Sequence, residues 1–230
     1  FSASVGTTLY NCKKQGFNSF IDVLKWLDEH SVKKAKIQPL ITIDYFQQFG
    51  NINDLISILN FWDFLKQGQA KSIKKDKVVS PLLKSLFEAK CIASKKDGSE
   101  AASYKIEDAF ALLYAYENYI KKHPLKEPTM KERIAYDMEV LGYADVVTGK
   151  EQDRRRLLIT DITPLSGNDK AIWAYRVGTK SLGSGKTARL TVKKDVFEKN
   201  KITAGNIIYA AELFKNKAGY WYLLSYTKEE

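Results

Sequence analysis

Cationic and aromatic side chains are interleaved through the last third of the chain. Arg176, Lys180, Lys186, Arg189, Lys215 and Lys217 lie within a few residues of Trp173, Tyr175, Phe214, Tyr220, Trp221, Tyr222 and Tyr226. This mixture suits a single nucleic-acid strand, because ammonium and guanidinium groups neutralise phosphates while each base stacked on an aromatic face contributes about 1–3 kcal/mol. For any one of the strand aromatics the competing role is to fill a core. Lys215 and Lys217, in a loop, have no such competing role. The run Arg154-Arg155-Arg156 either touches backbone phosphates or forms a solvated start to a strand.

Two further basic features bear on phosphate binding. Gly183-Ser184-Gly185-Lys186-Thr187 resembles the end of a phosphate-cradling loop, but Lys180 stands where the pattern requires its first glycine. The segment also joins two expected strands, whereas a phosphate loop opens a helix, so it reads as a glycine-rich hairpin. Lys33, Lys34 and Lys36 fall between two expected helices, where lysine amines and backbone amides can hold a duplex phosphate; a solvated face is the alternative.

No catalytic residue, metal site or cofactor is expected. Cys12, Cys91, His30 and His123 are isolated from one another, and the acidic residues do not cluster as two-metal chemistry requires. Asp161 and Asp169 straddle a turn, and nothing marks either as more than a loop or strand-end residue.

The elements that must position these groups are an α+β set, helices first and strands last. Apolar residues at three- and four-residue steps predict helices over about 18–29, through Ile37–Phe46, and after an Asn51 or Asn53 cap through Trp62. Further helices are expected from Ser80-Pro81 to Ala89, over about 105–121, and from a Thr129/Glu132 capping box to Gly142. Lys95–Ser99 reads as an exposed loop. From Arg154 the period switches to two, predicting strands over 156–163, 171–179, 186–192, 206–213 and 220–226, with a helix at 193–200. That order fits a five-stranded oligonucleotide-binding (OB-fold) barrel. Three regions are therefore expected: a helix-hairpin-helix-like module over 1–69, a helical linker region over 70–153, and the barrel over 154–230. In the third strand Ala188, Leu190 and Val192 are expected inside, with Thr187, Arg189 and Thr191 outside. In the second strand either face can be buried; placing Arg176 outward avoids an unpaired buried guanidinium and puts Trp173 and Tyr175 inside.

Composition agrees with an anionic polymer as partner. The 230 residues carry a formal net charge of +10, and the excess concentrates at the barrel end: 7 basic and 6 acidic residues over 1–69, 15 and 12 over 70–150, 15 and 9 over 151–230. Two cysteines far apart in the sequence and the lack of a long apolar run or leader lead us to expect a cytoplasmic protein without a membrane partner. The start at Phe1 fits a piece of a larger protein.

The residues carry a resemblance as well. FNSFIDVLKWLDEHSVKKAKIQPLITIDYFQQFGN, residues 17–51, resembles the second half of the tandem helix-hairpin-helix region of bacterial C-family replicative DNA polymerases, the polymerase III alpha subunits. Phe17 to Leu24 match the family's F-x-S-F-x-D-x-L helix, and Leu40 to Gly50 its L-I-x-x-x-x-F-x-x-F-G. MKERIAYDMEVLGYADV, residues 130–146, is similar to the helix that precedes the family's OB-fold barrel. The resemblance implies a non-catalytic C-terminal portion of such a subunit, cellular or phage-borne, with the helical module on duplex primer-template DNA and the barrel on single-stranded template. The metal-binding palm of that nucleotidyltransferase lies outside these residues, so no primer extension is expected. The family's sliding-clamp motif has its nearest counterpart at Leu83-Lys84-Ser85-Leu86-Phe87, which lacks the glutamine and falls on an amphipathic helix. The alternative is a protein-interaction module of a replication or repair complex that does not bind DNA directly.

Overall fold

The computed structural model describes residues 3–94, 100–144, 146–167 and 170–229. The expected loop at Lys95–Ser99 lies outside them. The chain divides into two compact units, Phe1–Pro128 and Thr129–Glu230.

The first unit is mostly helical. Its helices are α1 (Ala3–Lys14), α2 (Phe20–Glu29), α3 (Lys34–Thr42), α4 (Ile52–Phe64), α5 (Pro81–Lys90) and α6 (Ala109–Lys122). Ser19 caps α2, whose stripe Phe20, Ile21, Val23, Leu24 and Leu27 is buried, as its spacing predicts. Asn51 caps α4 in a reciprocal box with Asp54. Helix α4 buries Leu55, Ile58, Leu59, Phe61 and Trp62, so it is central to this unit. Each such side chain contributes roughly 1.5–3 kcal/mol on leaving water.

Three short strands accompany these helices: β1 (Ser72–Lys74), β2 (Ile92–Ser94) and β3 (Glu100–Lys105), an antiparallel sheet in the order β1-β3-β2. The sequence reading has no strand here. β1 and β2 are only three residues each, too short to show alternation, and Ser72 pairs with Lys105, far along the chain. The helix expected from 105 instead starts at Ala109, where Asp108 accepts a hydrogen bond from Ala111 N.

A buried carboxylate joins α6 to the start of α2. Glu117, only 2% exposed, accepts hydrogen bonds from Ser19 Oγ and from Phe20 N (2.7 Å), and pairs with Lys121 at 3.0 Å. It satisfies an amide that the first turn leaves without an intrahelical partner and places negative charge at the positive end of the helix.

The second unit begins with α7 (Met130–Leu141), opened by the Thr129/Glu132 capping box and stopped by Gly142 at φ +77°, as expected. A 3-10 turn, Glu151–Arg155, leads into β4 (Arg156–Ser166), β5 (Ile172–Ser181), β6 (Thr187–Lys193), α8 (Lys194–Lys199), β7 (Ile207–Lys215) and β8 (Trp221–Lys228). The strands close into a barrel in the order β4-β5-β6-β8-β7, antiparallel except for β6 with β8. This five-stranded mixed barrel, with a helix between its third and fourth strands, is OB-like. Its core includes Ile159, Val177, Leu190, Val192, Ile208 and Leu223. Helix α7 belongs to this unit because Ile134 packs with Ala144, Leu158, Leu182 and Ile207 in a second apolar cluster.

Two expectations about facing are corrected. Trp173 is 50% exposed, and Ala174 is buried instead. The register of β4 with β5 shifts from Leu165↔Ala174 to Ser166↔Ile172, so Trp173 stands on a bulge that turns it outward. Tyr175 does face inward, half-buried and stacked on Phe197 at 3.9 Å. Ala188 is exposed although alternation puts it on the side of Leu190 and Val192, whereas Thr191 on the outer side is nearly covered.

Replacing Glu117 by alanine leaves the Ser19 hydroxyl and Phe20 amide without an acceptor, an expected loss of about 2–4 kcal/mol in urea-induced unfolding. Glu117→Gln should lose less, since its amide oxygen still accepts.

Candidate nucleic-acid interface

The register of the barrel sets its outer side chains in two rows. One row runs across all five strands: Thr163 pairs with Arg176, Arg176 with Thr191, Thr191 with Tyr222 and Tyr222 with Phe214. Paired residues project to one face, so a guanidinium and two aromatic rings lie along one line. Phe214 is 52% exposed and its ring centroid is 6.3 Å from that of Tyr222. Two residues along each strand, a second row comprises Asp161, Gly178 and Arg189.

The β7–β8 hairpin ends on the other parity. Lys215, expected in the loop, is the last residue of β7 and pairs with Trp221 on the side of Leu213 and Leu223 rather than of Phe214 and Tyr222, and its Nζ lies 5.7 Å from the indole ring centroid. Asn216 shapes the turn: its N–H donates to the Tyr220 carbonyl, and its side-chain oxygen accepts from Tyr220 N at 2.8 Å. Lys217 and Tyr220 are left exposed. Tyr226 belongs instead to the core, with its hydroxyl donating to the Asn200 carbonyl at 2.6 Å.

Among the described residues, Arg176, Lys186, Arg189 and Lys217 make no ion pair. Other basic candidates are committed within the protein. Lys180 Nζ donates to the Ala144 carbonyl at 3.3 Å. Arg154 pairs with Glu151, and Arg155 donates to the Ala211 carbonyl. Arg156 grips Glu229 with two nitrogens, at 2.8 and 2.6 Å, and reaches Asp153 at 3.2 Å. In the helical unit Lys33 pairs with Asp28, while Lys34 bonds Asn60 and Asp63. Lys36 is exposed and also engaged. These lysines sit at the positive end of α3, and the neighbouring aspartates offset that unfavourable placement.

The glycine-rich segment is a hairpin turn with a structural cause. A Cβ on Gly183 would stand 2.4 Å from the Lys150 carbonyl oxygen and 2.6 Å from Arg154 N, so backbone meets backbone there. Gly183 N donates to the Asp153 carbonyl at 3.0 Å, and Gly185 adopts φ +69°. Nothing in this arrangement opens a helix onto a phosphate. The clamp-like segment is likewise structural at Phe87, which is fully buried against Phe61, Phe64 and Tyr104.

Elsewhere the chemistry is sparse. Among the described residues no three His, Cys, Asp or Glu side chains gather as metal ligands, and no helix is long and apolar enough to cross a membrane. A cavity of about 600 Å³ in the helical unit is lined by Tyr10, Cys12, Phe17, Tyr45 and Phe49, and burial pushes the Cys12 thiol up to about 11. Asp161, expected as a loop or strand-end residue, instead lies inside β4 opposite Gly178, because the strand runs on to Ser166. A glycine inside the β5 pattern was the available signal for Asp161, because such a glycine marks close approach by another group.

No protein-family model matches the chain, and no curated protein matches it.

Gly183→Ala should destabilise the barrel unit by about 1–3 kcal/mol in denaturant unfolding, because backbone on both sides must move. Asp153 supplies a pH-dependent counterpart. Hydrogen bonds from Thr148 and then Arg156 hold its carboxyl below the ordinary value of 3.8, against desolvation. A depressed folded-state pKa contributes stability that is present above the unfolded value and lost as pH falls through the folded one. Asp153→Asn should therefore melt below the unsubstituted protein at pH 7, with the difference closing as pH falls below that value.

Proposed function

We propose that the barrel binds single-stranded nucleic acid on its outer face, with phosphates on Arg176, Lys186 and Lys217, bases against Tyr222 and Phe214, and Arg189 beside them. The observation that carries this reading is the separation between committed and uncommitted cations. The arginines of 154–156 and the lysines at 33 and 34 are bonded inside the protein, whereas among the described residues Arg176, Lys186, Arg189 and Lys217 make no ion pair, and Arg176 shares its register row with Tyr222 and Phe214. Unpaired cations beside stacking surfaces suit a flexible anionic strand, since each phosphate neutralised releases counterions.

The polymerase III alpha context rests on the likeness of residues 17–51 and 130–146 to that family. Within it, this chain is a non-catalytic DNA-binding portion whose barrel takes the single-stranded template. The committed state of Lys33 and Lys34 favours the barrel over the helical module as the principal contact. Duplex primer-template on the helical module and contact with a sliding clamp are the family's further implications.

Fluorescence anisotropy with a labelled oligothymidylate and a labelled duplex, across a range of salt, tests the reading. The single strand should bind more tightly than the duplex, with affinity falling linearly in log salt. Arg176→Ala/Arg189→Ala and Lys215→Ala/Lys217→Ala should each reduce that slope by about 1–2. Absence of single-strand binding at low salt would overturn the proposal and leave the protein-interaction module as the better account.

A further inference from the structure

The outer face carries an acidic group among its cations, seated by three adjacent features of the fold. Asp161 follows a bulge in β4: Ile159 pairs with Thr179, Thr160 is the extra residue, and Asp161 pairs with Gly178. The carboxylate folds over the neighbouring strand. A Cβ on Gly178 would stand 1.9 Å from Asp161 Oδ2 and 2.5 Å from Thr160 Oγ1. Thr160 Oγ1 donates to that same Oδ2 at 2.9 Å, which restrains the carboxylate. Gly178 does not adopt positive φ, so it is glycine for room rather than for conformation.

On its other side Gly178 pairs with Arg189. A carboxylate and a guanidinium thus flank a bare glycine, on strands whose axes are about 10 Å apart. Thr160, Thr179, Thr187 and Ala188 complete the lining of this cleft. Neither Asp161 nor Arg189 makes an ion pair among the described residues.

A carboxylate repels phosphate, so the part of a bound strand that lies over Asp161 is a base. An ionised carboxylate only accepts hydrogen bonds, so that base must present donors. Guanine has two adjacent ones, N1–H and the N2 amino group, which match the two carboxylate oxygens. Its O6 and N7 are acceptors suited to arginine. Adenine and cytosine each place a ring acceptor beside their amino group, and thymine has one N–H between two carbonyls, so each sets an acceptor against the carboxylate. We infer that the Asp161–Gly178–Arg189 cleft is a guanine-reading subsite for the strand, an inference that rests on the nucleic-acid reading above.

The test compares labelled oligothymidylate with the same oligomer carrying isolated guanines, and with a third in which inosine replaces guanine and removes the N2 donor. The guanine oligomer should bind about 5- to 100-fold tighter than oligothymidylate, the range of one good bidentate base contact. Inosine should lose most of that gain, and in Asp161→Asn, checked for folding by its thermal melt, the guanine-to-thymine ratio should fall towards one. Equal binding of the guanine and thymine oligomers, or an undiminished preference in Asp161→Asn, would overturn the subsite while leaving single-strand binding intact. If no oligomer binds at low salt, the nucleic-acid reading fails and the subsite falls with it.

Discussion

Closure of the second unit's sheet governs the placement of its outward side chains. Five strands form a barrel here only because β6 and β8 pair in parallel, β4 pairs with β7, and bulges relieve the strain of coiling. Each bulge inserts one residue and reverses alternation beyond it, so closure decides which side chains reach water. The bulge at Thr160 sets Asp161 opposite Gly178, and that at Trp173 expels an indole from a position that strict alternation would bury. The alignment of Arg176 with Tyr222 and Phe214 depends on the same closure, since these residues come from three strands and meet only through it.

The excess positive charge is divided between two tasks. Arg156, with Asp153 and Glu229, ties the start of β4 to the segment after β8, a bidentate contact for which the guanidinium fork is suited. Arg155 and Lys180 end on backbone carbonyls, which lysine and arginine satisfy without a counter-charge. A count of basic residues merges these bonded cations with those on the open face, although only the latter retain free capacity for an anion.

The legible parts of the fold were those fixed by nearby residues. The Thr129/Glu132 capping box, an asparagine cap on the helix through Trp62, the Gly142 stop, the five strands and the intervening helix follow from spacing within a few residues. The small sheet of the first unit escaped because Ser72–Lys74 is too short to alternate and its partner lies beyond an intervening helix. Trp173 and Ala188 were misplaced because alternation reports parity along one strand and contains no information about bulges or the limits of the core. Within the candidate interface the cations could be enumerated from their types, but their commitments could not. Nothing local to Arg154-Arg155-Arg156 reveals Glu229 or the Ala211 carbonyl.

The backbone contact beneath Gly183 has a kinetic consequence. It clamps the base of the β5–β6 hairpin onto the 150–154 turn, so Lys186 stands on a stiff mount. The β7–β8 turn is held by bonds within itself, with Lys217 at its exposed tip. Two cations of equal charge thereby differ in reach and in the freedom they lose on contact. A tip lysine samples a wide volume and acts chiefly on the rate of capture, whereas a mounted one gives up little motion and acts chiefly on the lifetime of the complex.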